Sequence, residues 1–215
     1  MGRLTVVLSP SRTHRDLNQP SPTFTGPDGK RRCGWCSSDP LYIAYHDDEW
    51  GRPVTDDVRL YEKLCLEGFQ AGLSWLTILK KREAFRDAFA GFDPRVVARF
   101  TARDIQRLMR NANIVRNKAK IQATIANARA TLTLWDQGKS LSETIWAHQP
   151  TKRRTAPKST RDIPAMTAES AALSKELLKL GFRFVGPTTM YAAMQSLGIV
   201  NDHYATCAFR KSAIR

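Results

Sequence analysis

Cysteine is scarce in this chain, with four in 215 residues, which is too few for the disulfide framework of a small secreted domain. Long apolar runs are also missing, so no segment is predicted to cross a membrane. The first residues carry too short an apolar run for a secretory signal peptide, and position 6 is Val where N-myristoylation requires Ser or Thr. These absences predict a cytoplasmic protein that has no membrane partner.

Acidic residues are in deficit, with 20 Asp and Glu against 34 Lys and Arg and a formal net charge of +14. Residues 1–32 carry six Lys or Arg and two Asp, so a balance of +10 remains on the rest of the chain. Strong positive charge favours a polyanionic partner through counterion release and steering. We therefore expect a nucleic-acid partner; the alternative is charge that serves only solubility.

Strand-type alternation of apolar and polar residues is missing as well, and helix signals dominate instead. Ser74 precedes apolar residues at helical spacing as far as Phe89, Asp93 is followed by proline, and Thr101 begins a capping box. A long helix is predicted from about residue 116 to about residue 135. The predicted fold class is all-α. Residues 1–30, rich in Ser, Thr, Pro, Gly and Arg, are predicted to be a flexible N-terminal extension, and residues 31–215 the folded domain.

Two pairs of soft or borderline metal ligands stand at opposite ends of that domain. Cys33 and His46 lie near its beginning, and His203 and Cys207 lie near its end. Four such ligands are the inventory of a closed tetrahedral zinc site. Cys36 is an internal rival, because it forms a Cys-x-x-Cys pair with Cys33. Without a metal, the second pair would be an ordinary polar turn.

A carboxylate, Glu67, directly follows the apolar residues Leu64–Leu66 and precedes Gly68 and Phe69. Burial of a carboxylate is costly unless it is paired or used. Together with the tryptophans and tyrosines of the front half, it suggests a pocket for a flat, cationic heterocycle. The simpler alternative is a surface-exposed Glu67 with the aromatic residues in the core.

A helix, a tight break and a second helix rich in Lys and Arg are predicted over residues 108–121. This pattern is typical of a helix–hairpin–helix. Backbone N–H groups at the start of the second helix could hold a phosphate without reading bases.

Taken together, the blocks resemble the type I 3-methyladenine DNA glycosylase family of the helix–hairpin–helix superfamily, over about residues 31–209. The resemblance implies a helix–hairpin–helix lobe, a zinc-clasped lobe built from both ends of the domain, and a base pocket between them. The matching blocks are Arg32–Trp35, Asp39–Gly51, Cys65–Gly68, Gln70–Trp75, Lys80–Glu83, Lys120–Arg129, Gly181–Gly186 and Asn201–His203.

The resemblance implies hydrolysis of the N-glycosidic bond of 3-methyladenine, flipped out of alkylated double-stranded DNA, by a monofunctional, monomeric enzyme without an obligate protein partner. It also implies the site residues: Glu67 as the catalytic, base-reading carboxylate, Trp35, Tyr42, Tyr45 and Trp75 around the base, Gly72 and Leu73 as a wedge, Arg116, Lys118 and Lys120 on phosphates, and Cys33, His46, His203 and Cys207 on one structural zinc.

The sequence departs from the family pattern in the hairpin, where Asn113 and Ala119 stand at positions that often carry glycine. Asn tolerates the left-handed conformation, so the turn is expected to survive at Asn113. Two other functional classes remain open. One is a bifunctional glycosylase with strand-cutting lyase activity that uses Lys118 or Lys120 as an amine nucleophile. The other is a zinc-dependent DNA-binding protein without enzymatic activity.

Overall fold

The computed structural model describes residues 22–36, 39–152 and 154–214. Within them the fold is mostly helical, as predicted, and the sheet has only two short strands, β1 (Thr23–Thr25) and β2 (Arg31–Cys33), paired antiparallel. No helix in this part of the chain is long and apolar enough to span a membrane.

The β1–β2 hairpin begins inside the segment predicted to be a flexible extension. Arg32 fixes it to the domain, because its guanidinium binds Asp28 and Asp47 at 2.7 Å each. Residues 22–30 are therefore part of the fold. Strands of three residues are too short to show alternation, which explains why the sequence did not indicate them.

The remainder of the predicted extension, residues 1–21, lies outside the described residues.

Four short 3₁₀ turns and ten α-helices complete the described structure. The turns are Gly34–Cys36, Ala90–Phe92, Thr160–Asp162 and Ser212–Ile214. The helices are α1 (Pro40–Asp48), α2 (Asp57–Gln70), α3 (Trp75–Lys80), α4 (Arg82–Ala88), α5 (Pro94–Val97), α6 (Ala102–Arg110), α7 (Lys118–Asp136), α8 (Leu141–Trp146), α9 (Ala168–Lys179) and α10 (Pro187–Ser196).

Several predicted helix starts are confirmed by their caps. Asp93 accepts a hydrogen bond from the backbone of Arg95 at 2.8 Å, and Thr101 forms the predicted capping box with Asp104. The single helix predicted from Ser74 to Phe89 is wrong. The chain breaks at residue 81, where the backbone leaves helical geometry, and α3 and α4 run on either side.

Helix α2 is the centre of the fold and packs against α3, α7, α8 and α10. It is buried nearly all round, and its buried residues include two carboxylates, Glu62 and Glu67. A helix in the middle of a domain loses the usual polar face, so each polar residue on it needs a partner or a use.

Candidate functional site: an aromatic cavity beside a Cys–His cluster

An aromatic cavity of about 200 Å³ lies among α1, α2, α3 and α10. All five residues predicted to contact or act on a base lie in its wall. Others that the sequence did not single out join them, notably Gln70, Gln195 and Ser196. The lining consists of Trp35, Tyr42, Tyr45, Trp50, Glu67, Gln70, Trp75, Ile163, Ala192, Gln195 and Ser196.

Two tyrosines reach the cavity from α1. Asp39 caps this helix by accepting a hydrogen bond from the backbone N–H of Leu41 at 2.9 Å, and proline follows at the first helical position. Residues three apart share a helix face, so Tyr42 and Tyr45 lie side by side with ring centroids 6.5 Å apart. The Trp35 ring lies 4.9 Å from Tyr42, which makes the aromatic wall continuous.

The carboxylate of Glu67 lines the same cavity and is only 4% exposed. Its Oε1 accepts a hydrogen bond from the Ser196 hydroxyl at 3.3 Å, and the Lys63 ammonium is 3.8 Å away. Burial raises the pKa of Glu67, while the Lys63 charge and the Ser196 hydrogen bond oppose the rise. A buried carboxylate with partners this weak keeps acceptor capacity for a ligand.

Trp75 supplies the complementary group. It begins α3 directly after Ser74, whose hydroxyl caps the helix by accepting from the Thr77 N–H at 3.2 Å. The indole Nε1 of Trp75 is buried and finds no hydrogen-bond partner within the described part of the chain. An unpaired buried donor costs about 1–3 kcal/mol. Within the described chain, Arg82 Nε is the other buried donor without a partner.

Lys63 is the residue that sequence reasoning missed. It precedes Glu67 by one helical turn, and its ammonium donates a hydrogen bond to the Tyr45 hydroxyl at 2.6 Å. The same ammonium lies 4.0 Å from the Trp75 ring centroid. A Lys four residues before a buried Glu was the available sequence signal.

Four side chains from both ends of the domain converge beside the aromatic wall, and their ligand atoms all lie within 4.8 Å of one another. The Cys207 Sγ is 3.5 Å from His46 Nε2 and 3.4 Å from His203 Nδ1, and the Cys33 Sγ is 3.7 Å from His203 Nδ1. Tetrahedral zinc, with Zn–S near 2.3 Å and Zn–N near 2.0 Å, separates sulfur from nitrogen by about 3.5 Å. The donor set therefore fits such a metal.

The second ring nitrogens of both histidines are engaged as well. His46 Nδ1 lies 2.8 Å from the Asp47 carboxylate, and His203 Nε2 lies 3.3 Å from the Trp50 carbonyl oxygen. Such contacts orient imidazoles toward a metal. The hydrogen bond between Cys33 and Cys207 lowers the pKa of Cys207 and raises that of Cys33, and the two histidines lower the pKa of Cys207 further, so one thiol of the pair is predisposed to the thiolate that a metal requires.

Cys36 does not belong to this cluster. Its thiol donates to the Cys33 carbonyl at 3.1 Å instead. The cluster and the cavity share a wall, because the Trp35 ring lies 5.3 Å from the His46 ring.

The loop after α2 presents the predicted wedge. Gly72 has a φ of +82°, which a residue with a side chain adopts only under strain, and the Leu73 N–H closes the turn on the Gln70 carbonyl at 2.6 Å. The Leu73 side chain is 41% exposed. An exposed aliphatic residue is thus held three residues beyond Gln70, which lines the cavity.

The structure gives Lys120 a different place from the one predicted. Its ammonium is buried and donates to the carbonyls of Phe69 at 2.9 Å and Ala71 at 2.6 Å. Burial lowers the pKa of Lys120. Lys120 therefore closes the end of α2 and is not exposed to a phosphate. Arg116 and Lys118, by contrast, are exposed as expected.

The α6–α7 loop is folded without the left-handed residue expected at Asn113. Positive φ values among described non-glycine residues occur only at positions 90, 92 and 184. Instead, the Asn111 side chain accepts from the Asn113 N–H at 2.9 Å, and the Lys81 ammonium binds the Ala112 and Asn113 carbonyls at 3.4 and 3.1 Å. Because Lys120 joins the start of α7 to the end of α2, this basic loop and the Leu73 loop lie at the same end of the fold.

Comparison with known proteins identifies the family to which this chain belongs. The chain matches the family model described as methyladenine glycosylase over residues 35–211. It is 51% identical over 179 residues to DNA-3-methyladenine glycosylase 1 of Escherichia coli, covering 82% of this chain and 95% of that protein. It is 47% identical over 184 residues to DNA-3-methyladenine glycosylase of Haemophilus influenzae, with 84% and 98% covered.

Solved structures agree with the sequence relatives. A crystal structure of a 3-methyladenine DNA glycosylase I matches with a TM-score of 0.80 at 49% identity, covering 82% of this chain and 98% of that one. A 3-methyladenine DNA glycosylase I from Staphylococcus aureus matches with a TM-score of 0.79 at 37% identity, covering 83% and 96%. With its buried carboxylate set among aromatic rings, this chain belongs to the methyladenine glycosylase family and is a DNA glycosylase, a hydrolase of N-glycosyl bonds.

Proposed function

We propose that this enzyme excises 3-methyladenine from alkylated double-stranded DNA by hydrolysing its N-glycosidic bond, with the base flipped into the aromatic cavity. The observation that carries the proposal is Glu67, a buried carboxylate without a strong partner among aromatic rings. Both curated relatives are named for 3-methyladenine, which agrees with this choice of base. Excision of a damaged base is the first step of base-excision repair.

The charge of the lesion explains why a carboxylate and aromatic rings suffice. Methylation at N3 makes the adenine of the intact nucleotide cationic, and the base leaves as a neutral molecule. Glu67 offers only acceptors, which suits the exocyclic amine of a cationic adenine, and the faces of Tyr42 and Trp75 favour a cation. Guanine would bring a carbonyl oxygen against Glu67 and be rejected. Because the bond is already weak, no strong general acid is required.

Access to the cavity requires base flipping, because the glycosidic bond of a stacked base lies beyond the reach of a buried carboxylate. Leu73 would enter the duplex where the base has left, with Gly72 allowing close approach of the backbone. The exposed Arg116 and Lys118 lie at the same end of the molecule and would bind phosphates on either side. We interpret α6, its loop and α7 as the helix–hairpin–helix of this enzyme.

A release assay tests this function. The protein is incubated with duplex DNA alkylated by a methylating agent, and the released bases are separated and identified. We expect free 3-methyladenine, with no covalent enzyme–DNA adduct after borohydride treatment. A trapped adduct would indicate a bifunctional lyase that uses Lys118 or Lys120 as its amine nucleophile, and the exposed Lys118 would be tested first. DNA binding without any released base would indicate a non-enzymatic binding protein.

We further propose that Cys33, His46, His203 and Cys207 hold one structural zinc ion. All four positions of a tetrahedron would be filled by protein, which leaves none for water or substrate, so the metal would stabilise the fold and take no part in hydrolysis. Trp35 contacts His46, so a metal that fixes His46 would also fix this part of the cavity wall.

The zinc prediction is tested by elemental analysis of purified wild-type protein and two serine variants. We expect one zinc per chain in the wild type, loss of zinc in Cys207→Ser, and retention in Cys36→Ser. Cys36 is a matched control, because it is equally buried and neighbours Cys33 without joining the cluster. Zinc that is lost from Cys36→Ser and kept by Cys207→Ser would refute the ligand assignment.

The DNA surface is tested by the salt dependence of binding to undamaged duplex. Each phosphate contact adds about one unit to the slope of log affinity against log salt, so Lys118→Ala should bind more weakly at low salt and show a slope smaller by about one. Lys139→Ala, a charge change at the far end of α7, is the control and should leave the slope unchanged. Equal slopes in the wild type and Lys118→Ala would remove Lys118 from the interface.

A further inference from the structure

Lys63 is a buried lysine that the proposed reaction has not yet used. Its side chain is 14% exposed, and its ammonium is surrounded by groups of the cavity: Glu67 at 3.8 Å, the Tyr45 hydroxyl at 2.6 Å and the Trp75 ring centroid at 4.0 Å. The ammonium also lies 4.7 Å from the Tyr45 ring centroid. One cation thus touches three of the residues proposed to surround the base.

Lys63 lies outside the cavity that would hold the base. It lines a smaller pocket that shares Tyr45, Trp75 and Ser196 with the larger aromatic cavity, whose lining does not include Lys63. Tyr45 and Trp75 thus contact the ammonium and also line the cavity proposed to hold the base. A residue in this position acts on the reaction through its neighbours rather than by contact with substrate.

The surroundings of Lys63 include charges of both signs. Burial lowers the pKa of Lys63 to about 8, and Glu67 and Glu49 are the main groups that oppose this. Glu62 opposes it weakly, and the Arg82 guanidinium on α4 adds to the lowering. Near neutral pH the amine is still mostly protonated, so a positive charge faces Glu67 under ordinary conditions.

We infer that Lys63 is a positioning residue of this glycosylase, which keeps Glu67 ionised and fixes Tyr45 and Trp75 from behind. The inference rests on the proposed role of Glu67. A carboxylate buried among aromatic rings tends to take up a proton, and a protonated Glu67 would lose its negative charge and present a donor toward the amine of the base. The ammonium of Lys63 opposes that protonation without occupying the acceptor side of the cavity.

A pH series of single-turnover release separates this role from simple packing. Lys63→Met keeps the length and apolar stem but removes the charge, Lys63→Arg keeps the charge, and Arg59→Met is the control. Arg59 lies one turn earlier on α2, and its side chain is 52% exposed. The Arg59→Met substitution therefore removes one positive charge at a position outside the aromatic cavity. Release should be measured from about pH 5.5 to about pH 9 and corrected for spontaneous depurination.

In Lys63→Met we expect the rate to fall most at the acid end of the series, by at most about tenfold for each unit by which the pKa of Glu67 rises, because the ionised fraction drops that steeply only below the pKa. The rate should return toward the wild-type value at the alkaline end. Lys63→Arg should keep most of the acid-side activity, and Arg59→Met should follow the wild type. A loss in Lys63→Met that is equal at every pH would show a packing role only and overturn the inference.

A second measurement does not depend on activity. The titration of the Glu67 carboxyl carbon is followed by NMR in protein labelled with ¹³C at glutamate, with the signal assigned by its absence in Glu67→Gln. We expect a higher Glu67 pKa in Lys63→Met than in the wild type, Lys63→Arg or Arg59→Met. An unchanged Glu67 pKa would refute the inference even if 3-methyladenine is released. If no base is released by the wild type, the proposed function fails while this titration still decides the role of Lys63.

Discussion

Two carboxylates on α2, Glu62 and Glu67, are equally buried, at 4% exposure each, yet their surroundings are opposite. Glu62 accepts hydrogen bonds from two guanidinium groups, those of Arg59 at 2.9 Å and Arg86 at 2.7 Å. Glu67 has a hydroxyl at 3.3 Å and an ammonium at 3.8 Å. The two residues share a helix, a residue type and a degree of burial, so their partners alone distinguish them.

The difference separates a carboxylate held by ion pairs from the one that we propose acts on the base. The charge of Glu62 is satisfied by two short, charge-assisted hydrogen bonds, and the group has little to offer a ligand. Glu67 is left short of partners, and the same wall contains the unpaired Trp75 indole N–H. A buried carboxylate with weak partners destabilises a protein, so its place in the wall of a cavity is consistent with a ligand that completes it.

The largest expected effect that tests this contrast is on activity. Glu67→Gln should keep the fold and DNA binding but release 3-methyladenine about ten- to a hundredfold more slowly, because a charged hydrogen bond contributes about 1.5–3 kcal/mol. The labile bond of the lesion should leave residual activity. Glu62→Gln should release the base at close to the wild-type rate. Single-turnover release by both variants makes the comparison, and a wild-type rate in Glu67→Gln would remove Glu67 from the site.

The next effect is on the free energy of unfolding, where we expect Glu62 to matter more than Glu67. Glu62→Gln removes the carboxylate that Arg59 and Arg86 share, while Arg86 keeps its bond to Glu83 at 2.7 Å, and we expect a loss on the order of 1–3 kcal/mol in the free energy of unfolding. This is less than for a fully buried pair, because Arg59 is half exposed and partly hydrated. Denaturant titration of the variant against wild type measures the change. A fully stable Glu62→Gln would mean that the two ion pairs contribute nothing beyond what water supplies.

The smallest expected effect is an increase in stability of Glu67→Gln, opposite in sign to the loss expected for Glu62→Gln. The pKa of Glu67 is raised in the folded state, so the folded protein binds more protons than the unfolded chain between the unfolded pKa of about 4.5 and the raised value. Wild-type stability should therefore fall as pH rises through that window and then level off. Glu67→Gln lacks this loss and should be more stable than the wild type near neutral pH.

Denaturant titrations of both proteins at acidic and neutral pH check the sign. A Glu67→Gln variant that is destabilised at every pH would show that Glu67 is a structural carboxylate like Glu62, and the contrast between the two would disappear.

Local signals predicted much of the fold and of the site. Helix caps at Asp93 and Thr101 are short-range chemistry, so they were visible in the sequence and are present in the structure. The long α7 helix was predicted to within about two residues at its start. The break at residue 81 was missed because apolar spacing continues across it, and the β1–β2 hairpin because each strand has three residues.

The site residues depended on the family resemblance for their roles, and on tertiary contacts for their partners. No spacing rule places the ammonium of Lys120 on the carbonyls of Phe69 and Ala71, since the two segments meet only in the folded core. The contrast between Glu62 and Glu67 was equally invisible, because Arg86 reaches Glu62 from α4. Sequence supplied the residue types, and packing decided which of them were paired.

The Cys–His cluster has a consequence for the order in which this protein can mature during synthesis. His203 follows Cys33 by 170 residues, so the two halves of the cluster are translated far apart in time. A nascent chain that has already completed α1 through α10 still lacks two of the four ligands. The Trp35 face of the base cavity, which contacts His46, therefore gains its full support only when the last residues of the domain have left the ribosome. Shortened chains that end before His203 would carry every residue proposed to contact the base and still lack two of the four cluster residues.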